Sequence, residues 1–272
     1  MGVCEGLLWL EDGERLFYRF QPGSLSKKPL LLIHGHGEHS GRYLKFFERL
    51  QDLDIPIASF DLRGCGRSSG PPAHVNRFED YLSDVSGLVR FLEKKFGIKL
   101  PLQLFGHSLG GLIAFAWARE NSIQVSKLIL SSPLMGLPQE GIIRFLVSFL
   151  NPLFPHWVIH NPVKPPYLTH DAEEIRRYRE DKLICRKITV RLVSEMVRYI
   201  SLFQKGAVPV PFPVYILMAE KDLVVSPKAT TDFYSRILAP AKELEVFPGY
   251  YHEIFNETGQ DKVFERLHKY LS

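Results

Sequence analysis

Residues 100–118, LPLQLFGHSLGGLIAFAWA, contain the stretch that decides the fold. Residues 100–105 form a short apolar run typical of a strand, and residues 109–118 have the composition of a buried helix. Between them, residues 106–110 form a Gly-x-Ser-x-Gly pattern, which a chain of this length contains by chance roughly one time in ten. The flanking elements make it specific, because small residues at both ends of the turn let the backbone fold sharply. The segment therefore predicts a strand-turn-helix unit that presents Ser108 as a candidate nucleophile.

Apolar runs on either side of this unit predict further strands at residues 29–33, 55–60, 127–130, 214–218 and 244–247. The runs are continuous rather than alternating, which is typical of strands buried on both faces of a parallel sheet. Helical patterns separate them at residues 43–53, 78–96 and 257–270, and residues 7–21 predict a hairpin around Asp12-Gly13. Because strands and helices alternate, we expect an α/β fold with a mostly parallel, doubly wound sheet.

One segment interrupts the alternation. About eighty residues separate the strands predicted at 127–130 and 214–218, far more than a single crossover needs. We therefore expect a core formed by residues 1–133 and 213–272, with residues 134–212 inserted before the last two strands. Within the insertion, an apolar helix is predicted at 141–150 and a charged helical stretch at 171–205. Proline and charged residues interrupt the apolar part, so it does not supply the roughly 20 apolar residues of a membrane span.

A serine nucleophile needs a general base to take its proton and a carboxylate to orient that base. We expect both at the carboxyl ends of later strands, where the ligand sites of open α/β sheets gather. Asp222 follows the strand predicted at 214–218, and His252 follows the one at 244–247. Glu220 is the competing carboxylate. His268 is the other histidine near the end of the chain, but it lies in the terminal helix, away from any predicted strand end.

Residues 34–39, His-Gly-His-Gly-Glu-His, directly follow the strand predicted at 29–33. One hypothesis is an oxyanion hole, in which the backbone N–H groups of His36 and Leu109 stabilise charge that develops on a carbonyl oxygen. A second is a zinc site, because the run resembles the His-x-His-x-Asp-His run of the metallo-β-lactamase family, with Glu38 in place of Asp. The zinc hypothesis leaves Ser108 and its partners unexplained and needs further ligands at later strand ends. Histidines that only pack and hydrogen bond locally are compatible with the first hypothesis.

Five blocks together resemble the α/β-hydrolases of the monoacylglycerol lipase and lysophospholipase group. They are residues 34–43, 60–68, 106–111, 219–222 and 252–257, which cover nearly the whole predicted core. The resemblance implies Ser108 as nucleophile, Asp222 as acid, His252 as base, and the backbone N–H groups of His36 and Leu109 as oxyanion donors. It also implies that the insertion of residues 134–212 is a helical lid, and that a lipid ester is cleaved beneath it through an acyl-enzyme, without cofactor or metal.

Three alternatives stay open on the sequence. The chain could be a small-molecule carboxylesterase or a proline-type aminopeptidase of the same fold. It could also be a binding protein that has this fold without catalysis, although the intact set of Ser108, Asp222 and His252 argues against that. The lid sequence matches no pattern that identifies the substrate.

For a lipid hydrolase, the apolar face of residues 141–150 has two functional interpretations beyond simply covering the sheet. It lines an acyl channel, with Phe145 and Phe149 against the acyl chain, or it touches a lipid surface. The lid carries 11 Lys or Arg and 7 Asp or Glu, a balance of +4 that equals that of the whole chain. This charge favours transient contact with an anionic membrane surface.

Composition narrows the class and the location. Hydrophobic residues make up 45% of the 272 and charged residues 24%, as in ordinary soluble proteins. A net charge of +4 is too small for non-specific binding of nucleic acid, so we expect no nucleic-acid partner. Three cysteines without close spacing favour a reducing compartment, and residues 1–10 lack the features of a signal peptide. We therefore expect a cytoplasmic protein that is peripheral at membranes; the oligomeric state is not indicated.

Overall fold

The computed structural model describes residues 2–161 and 163–272. Within these ranges the strands are β1 (Cys4–Trp9), β2 (Arg15–Gln21), β3 (Leu30–Ile33), β4 (Ile57–Phe60), β5 (Leu102–His107), β6 (Val125–Ser131), β7 (Val158–His160), β8 (Lys187–Thr189), β9 (Val208–Pro209), β10 (Val214–Ala219), β11 (Ile237–Leu238) and β12 (Lys242–Phe247). Eight of them form one sheet in the order β1-β2-β4-β3-β5-β6-β10-β12. β1 and β2 form an antiparallel hairpin, β2 pairs antiparallel with β4, and the remaining neighbours pair in parallel. The predicted fold class is confirmed.

Helices cover both faces of this sheet. They are α1 (Leu44–Arg49), α2 (Glu79–Phe96), α3 (Leu109–Glu120), α4 (Glu140–Leu153), α5 (Ala172–Glu180), α6 (Val190–Phe203), α7 (Pro227–Arg236) and α8 (Gln260–Leu271). Strand β3 shows why its sequence is apolar throughout. Leu31 and Ile33 pack with residues of α2 and α3, whereas Leu30 and Leu32 pack with residues of α1 and α8. Each side of the strand is therefore core, and no position needs a polar residue.

Two elements differ from the sequence expectations. The helix predicted at 43–53 is a shorter α1 between two 3-10 turns, Ser40–Tyr43 and Gln51–Leu53. Helix α7 was not predicted, because only Thr230 and Phe233 are buried in it and its apolar periodicity is weak. Its start is nevertheless set locally, since the Ser226 side chain accepts a hydrogen bond from the Ala229 amide.

In its described residues, the segment between β6 and β10 holds three helices, α4, α5 and α6, and three short strands, β7, β8 and β9. The stretch predicted as helical at 171–205 is divided into α5 and α6 by β8, which pairs antiparallel with β7. Helix α4 packs against α6 and buries Val147. In the described residues, none of the helices has the length and apolar character needed to cross a bilayer.

The apolar stripe of α4 faces outward. Phe145 is 63% exposed and Phe149 61%, and their rings contact each other at the surface with centroids 4.9 Å apart. The expectation that these two residues line an internal channel is therefore wrong. An amphipathic pattern gives the width of an apolar face but not the side of the molecule on which it lies.

Candidate active site

Ser108 lies at a tight corner between β5 and α3. Its backbone has φ 52° and ψ −120°, a strained conformation for a residue other than glycine. The corner is closed by two glycines, because a Cβ atom at Gly106 would overlap the carbonyl oxygen of Gly110, and one at Gly110 would overlap that of Ile33. The predicted strand-turn-helix unit is thus present, and it holds the Ser108 side chain above the carboxyl end of the sheet.

His252 and Asp222 meet in the loops that follow β12 and β10. The Nδ1 atom of His252 lies 2.7 Å from Oδ2 of Asp222, and both side chains are buried. The other carboxylate oxygen of Asp222 accepts hydrogen bonds from the amides of Val224 (2.8 Å) and Val225 (2.9 Å). These two amides fix the carboxylate, so the imidazole is held in one orientation with Nδ1–H toward Asp222.

The competing residues lie elsewhere. Glu220 is exposed and accepts a hydrogen bond from the Gly249 amide at 2.9 Å. His268, on α8, hydrogen bonds with the carbonyl of Arg49 at 2.8 Å. The structure brings Asp222 rather than Glu220 to His252.

The electrostatics of two neighbouring histidines differ. Burial by itself lowers the pKa of His252, but the charge of Asp222 and the hydrogen bond to it outweigh burial, so the pKa lies above its ordinary 6.5. His107, whose ring centroid is 4.7 Å from that of His252, has a pKa lowered to about 4, chiefly by burial and then by the charge of His252. Of these two histidines, His252 is therefore the one that takes up a proton, which suits a base that must accept a proton and hold it briefly.

Ser108, His252, His36 and Leu109 all line one cleft. Within residues 2–161 and 163–272, neither the Ser108 hydroxyl nor the backbone N–H of His36 or Leu109 has a hydrogen-bond acceptor. The contact between His252 and Asp222 that the triad hypothesis requires is formed, while no hydrogen bond joins Ser108 to His252 in the described residues. The two amides are the donors that the oxyanion hypothesis names.

The histidine run makes local contacts. His34 is fully buried, with Nδ1 2.8 Å from the Gly35 carbonyl and Nε2 accepting from the Leu62 amide at 2.9 Å. His39 uses both ring nitrogens, toward the Gly41 amide and the Asp181 carboxylate. The described part of the chain contains no group of three or more His, Cys, Asp or Glu side chains arranged to hold a metal ion.

A buried ionic cluster beside the candidate base was not predicted. Arg42 donates two hydrogen bonds to the carboxylate of Glu253 (2.6 and 2.8 Å) and one to Glu38 (3.1 Å). Glu38 also accepts from the Tyr43 hydroxyl at 2.8 Å and the Gly35 amide at 2.6 Å. Burial alone would raise the pKa of Glu38, but the charge of Arg42 brings it below its ordinary value. The sequence did contain a signal for this cluster, because Glu38 lies in a glycine-rich loop and Glu253 directly follows His252.

Beyond this polar end, the cleft is apolar. Its open space is about 1020 Å³, including the mouth. Most of the apolar wall comes from residues 134–196, and the remainder from Leu109 and the loop after β10. The lining side chains include Leu134, Leu137, Ile143, Ile159, Ile188, Val193, Met196 and Val224. The segment between β6 and β10 thus supplies most of the hydrocarbon-like surface near Ser108.

Comparison with known proteins shows the family to which this chain belongs. Residues 25–259 match the family described as "Serine aminopeptidase, S33". Human monoglyceride lipase is 28% identical over 268 residues, covering 96% of this chain and 88% of that protein. The uncharacterized protein YnbC of Escherichia coli is 29% identical over 273 positions, covering 96% of this chain but 45% of YnbC. The chain therefore spans less than half the length of that relative. The crystal structure of Paleococcus ferrophilus monoacylglycerol lipase has a TM-score of 0.86 at 25% identity, covering 94% of this chain and 98% of that one.

Proposed function

Because this chain belongs to the α/β-hydrolase family described as "Serine aminopeptidase, S33", we propose that it is a serine hydrolase that cleaves carboxylic esters of lipids, of the monoacylglycerol or lysophospholipid type. The observation that carries the proposal is the cleft, which is polar at Ser108 and His252 and apolar beyond them. An ester carbonyl at Ser108 would have its hydrocarbon chain along the apolar wall. The names of the human and Paleococcus relatives support the same substrate class.

In the proposed reaction, Nε2 of His252 takes the proton of the Ser108 hydroxyl as its oxygen attacks the ester carbonyl carbon. Asp222 stabilises the imidazolium that forms. The backbone N–H groups of His36 and Leu109 donate to the oxyanion of the tetrahedral intermediate. His252 then returns the proton to the leaving alcohol, the acyl group remains on Ser108, and water releases the fatty acid by the same steps. These steps use only groups of the chain and water.

The polar end of the cleft would hold the alcohol part of the substrate. Glu38, Arg42, Glu253, Tyr178 and Asn161 line it together, and they offer both hydrogen-bond donors and acceptors in a buried setting. These groups already hydrogen bond with one another and with their surroundings, but their carboxylates and amide have further hydrogen-bonding capacity, which a head group with several hydroxyls can use and an alkyl alcohol cannot. This contrast supports a lipid with a polar head over a simple alkyl ester.

Residues 134–212 are proposed to act as a lid over a core of residues 1–133 and 213–272. The exposed stripe on α4 supports transient contact of this lid with a membrane surface, because it presents a set of large apolar side chains to solvent. The set is Ile142, Phe145, Leu146, Phe149 and Leu153, followed by Phe154 and Trp157. We place the protein in the cytoplasm, peripheral at membranes; its cysteines are free, which fits a reducing compartment.

A second candidate is an aminopeptidase, as the family description states. It is favoured by the two buried carboxylates of Glu38 and Glu253, which outnumber the single positive charge of Arg42 beside them. Excess negative charge suits a protonated N-terminal amine. The extended apolar wall has no evident use for a short aminoacyl group, so we rank this function second.

Substrate profiling tests the proposal. Monoacylglycerols with acetyl, octanoyl and palmitoyl groups, matching lysophospholipids and prolyl amides would be compared by kcat/KM. We expect a rise of up to about fourfold per added methylene until the wall is covered, because each buried CH₂ is worth roughly 0.8 kcal/mol. Ser108→Ala should remove the activity and the labelling by a fluorophosphonate while the protein stays folded.

Each of the other possible results of this profiling would identify one of the alternative functions. Preference for acetyl esters would assign a small-molecule carboxylesterase, and faster cleavage of prolyl amides an aminopeptidase. A folded wild-type protein that a fluorophosphonate does not label would be a binding protein.

A further inference from the structure

The loop that carries His252 is attached to the inserted segment as well as to the core. On the core side, the Tyr250 carbonyl accepts from the Lys221 amide at 3.1 Å, and Glu253 pairs with Arg42. On the other side, the Glu253 amide donates to the Leu168 carbonyl at 2.7 Å. The catalytic loop is therefore held from two directions, one of which belongs to the proposed lid.

Glu257 is the centre of the second attachment. Its side chain is almost completely buried, and an ionised carboxylate can only accept hydrogen bonds. It accepts from the Tyr251 amide (2.9 Å) and the Thr258 amide (3.3 Å) of its own loop. Two more donors come from His170 of the inserted segment, the backbone N–H at 3.1 Å and Nδ1 at 2.8 Å. Among the described residues, two of the four donors to the Glu257 carboxylate thus belong to His170 of the inserted segment.

The ring of His170 makes a second contact with the same loop. It stacks on Tyr251 with ring centroids 3.8 Å apart and an angle of 23° between the planes. Tyr251 directly precedes His252 in sequence. His170 therefore contacts the loop on both sides of the candidate base, at Tyr251 before it and at Glu257 after it.

We infer that His170 is a positioning residue for the catalytic base, acting through Tyr251 and Glu257 to hold the loop of His252 against the inserted segment. The inference rests on the proposed function, because it assigns His252 the role of base. Among the described residues, the hydrogen bond and the ring stacking of the His170 side chain both go to the loop around His252, and this side chain is about half exposed, so its contribution is to the geometry of that loop. Small displacements of a base cost large factors in rate.

A consequence concerns lid opening. When residues 168–170 move away from the loop, Glu257 loses two donors and Tyr251 loses its stacking partner at the same time. His252 is therefore fully positioned only while this part of the segment is docked. Chemistry is coupled to the closed arrangement without any direct contact between His170 and the substrate.

The test uses p-nitrophenyl acetate, whose acyl group is too short to depend on the apolar wall. His170→Ala should lower kcat by at least about tenfold, the lower end of what one hydrogen bond to a charged group contributes, while KM changes less than twofold. His170→Asn, whose side-chain amide can donate where Nδ1–H does, should restore kcat to within about threefold of wild type. Melting temperatures of all variants would be measured alongside.

Glu79→Ala is the matched control. It removes another ion pair between the inserted segment and the rest of the chain, Arg198 to Glu79 at 2.8 Å, away from the His252 loop; Arg198 is about as exposed as His170, whereas Glu79 is more exposed than Glu257. We expect kcat within about twofold of wild type. Equal kcat for His170→Ala and Glu79→Ala, or no recovery with Asn in a folded protein, would overturn the inference. A wild-type protein inert toward both the ester and a fluorophosphonate would instead overturn the proposed function.

Discussion

Asp222 does two separable things for His252. It holds the ring through one hydrogen bond of 2.7 Å, and its charge raises the pKa of the imidazole above 6.5 against the effect of burial. In Asp222→Asn the orienting acceptor is replaced and the charge is lost, so the two largest effects that oppose burial disappear and the pKa of His252 falls. We expect kcat to drop by about 10³ or more and the acid limb of the kcat/KM profile to move to lower pH, because the neutral base now persists further into acid. A pH titration of kcat/KM measures both effects.

Glu220→Gln is the matched control, since this exposed carboxylate contacts only the Gly249 amide among the described residues. We expect its activity and pH profile to resemble wild type. A double variant of Asp222 and His252 should lose little beyond the worse single variant, because triad members act as a unit. Additive losses, or a greater effect at Glu220, would reassign the carboxylate.

At the level of elements, α4 is predicted to act on interfaces rather than on substrate choice. Phe145 and Phe149 lie outside the cleft, and Ile143 is the residue of this helix that lines it. The double variant Phe145→Ser with Phe149→Ser should therefore lose at least tenfold in binding to lipid vesicles, since each buried Phe is worth roughly 1.5–3 kcal/mol. Its kcat/KM for soluble short-chain esters should stay unchanged. Vesicle sedimentation and ester assays measure the two quantities.

Ile123→Ser serves as a comparison, because Ile123 is an apolar side chain that is 89% exposed but lies between α3 and β6, outside the inserted segment. It should leave vesicle binding as it is in wild type. If the α4 variant binds vesicles normally but shows an altered acyl-length profile, the helix lines the substrate path after all.

Elements and site were not equally predictable. The parallel strands were found because burial on both faces makes their sequences continuously apolar, as Leu30–Ile33 shows. Ser108, Asp222 and His252 were located by their positions after predicted strands. The Arg42–Glu253 pair was not, because 211 residues separate its members and no local pattern reports such a contact. The direction of the apolar face of α4 was left open between an acyl channel and a lipid surface for the same reason, since it depends on packing against α6 rather than on periodicity.

For the whole molecule, charge is unevenly distributed. Residues 134–212 carry the entire net +4, so the rest of the chain is formally neutral. We predict that binding to vesicles rich in anionic lipid weakens markedly as ionic strength rises from about 0.02 to 0.5 M, because screening shortens the Debye length to a few ångströms. Binding to uncharged vesicles should change little over the same range. Equal salt dependence for both vesicle types would exclude an electrostatic contribution from this segment.

The glycine corner at Ser108 has a consequence for motion. With no side chain at Gly110, the first turn of α3 rests directly on the end of β3 at Ile33, and His36 continues from that same strand. Backbone touches backbone at this joint, so there is no compressible layer of side chains between the two elements. Thermal displacement of the helix must then carry the strand end with it. In the proposed reaction, the Ser108 oxygen and the His36 amide, one of the two donors to the oxyanion, would therefore keep their separation when the proposed lid moves.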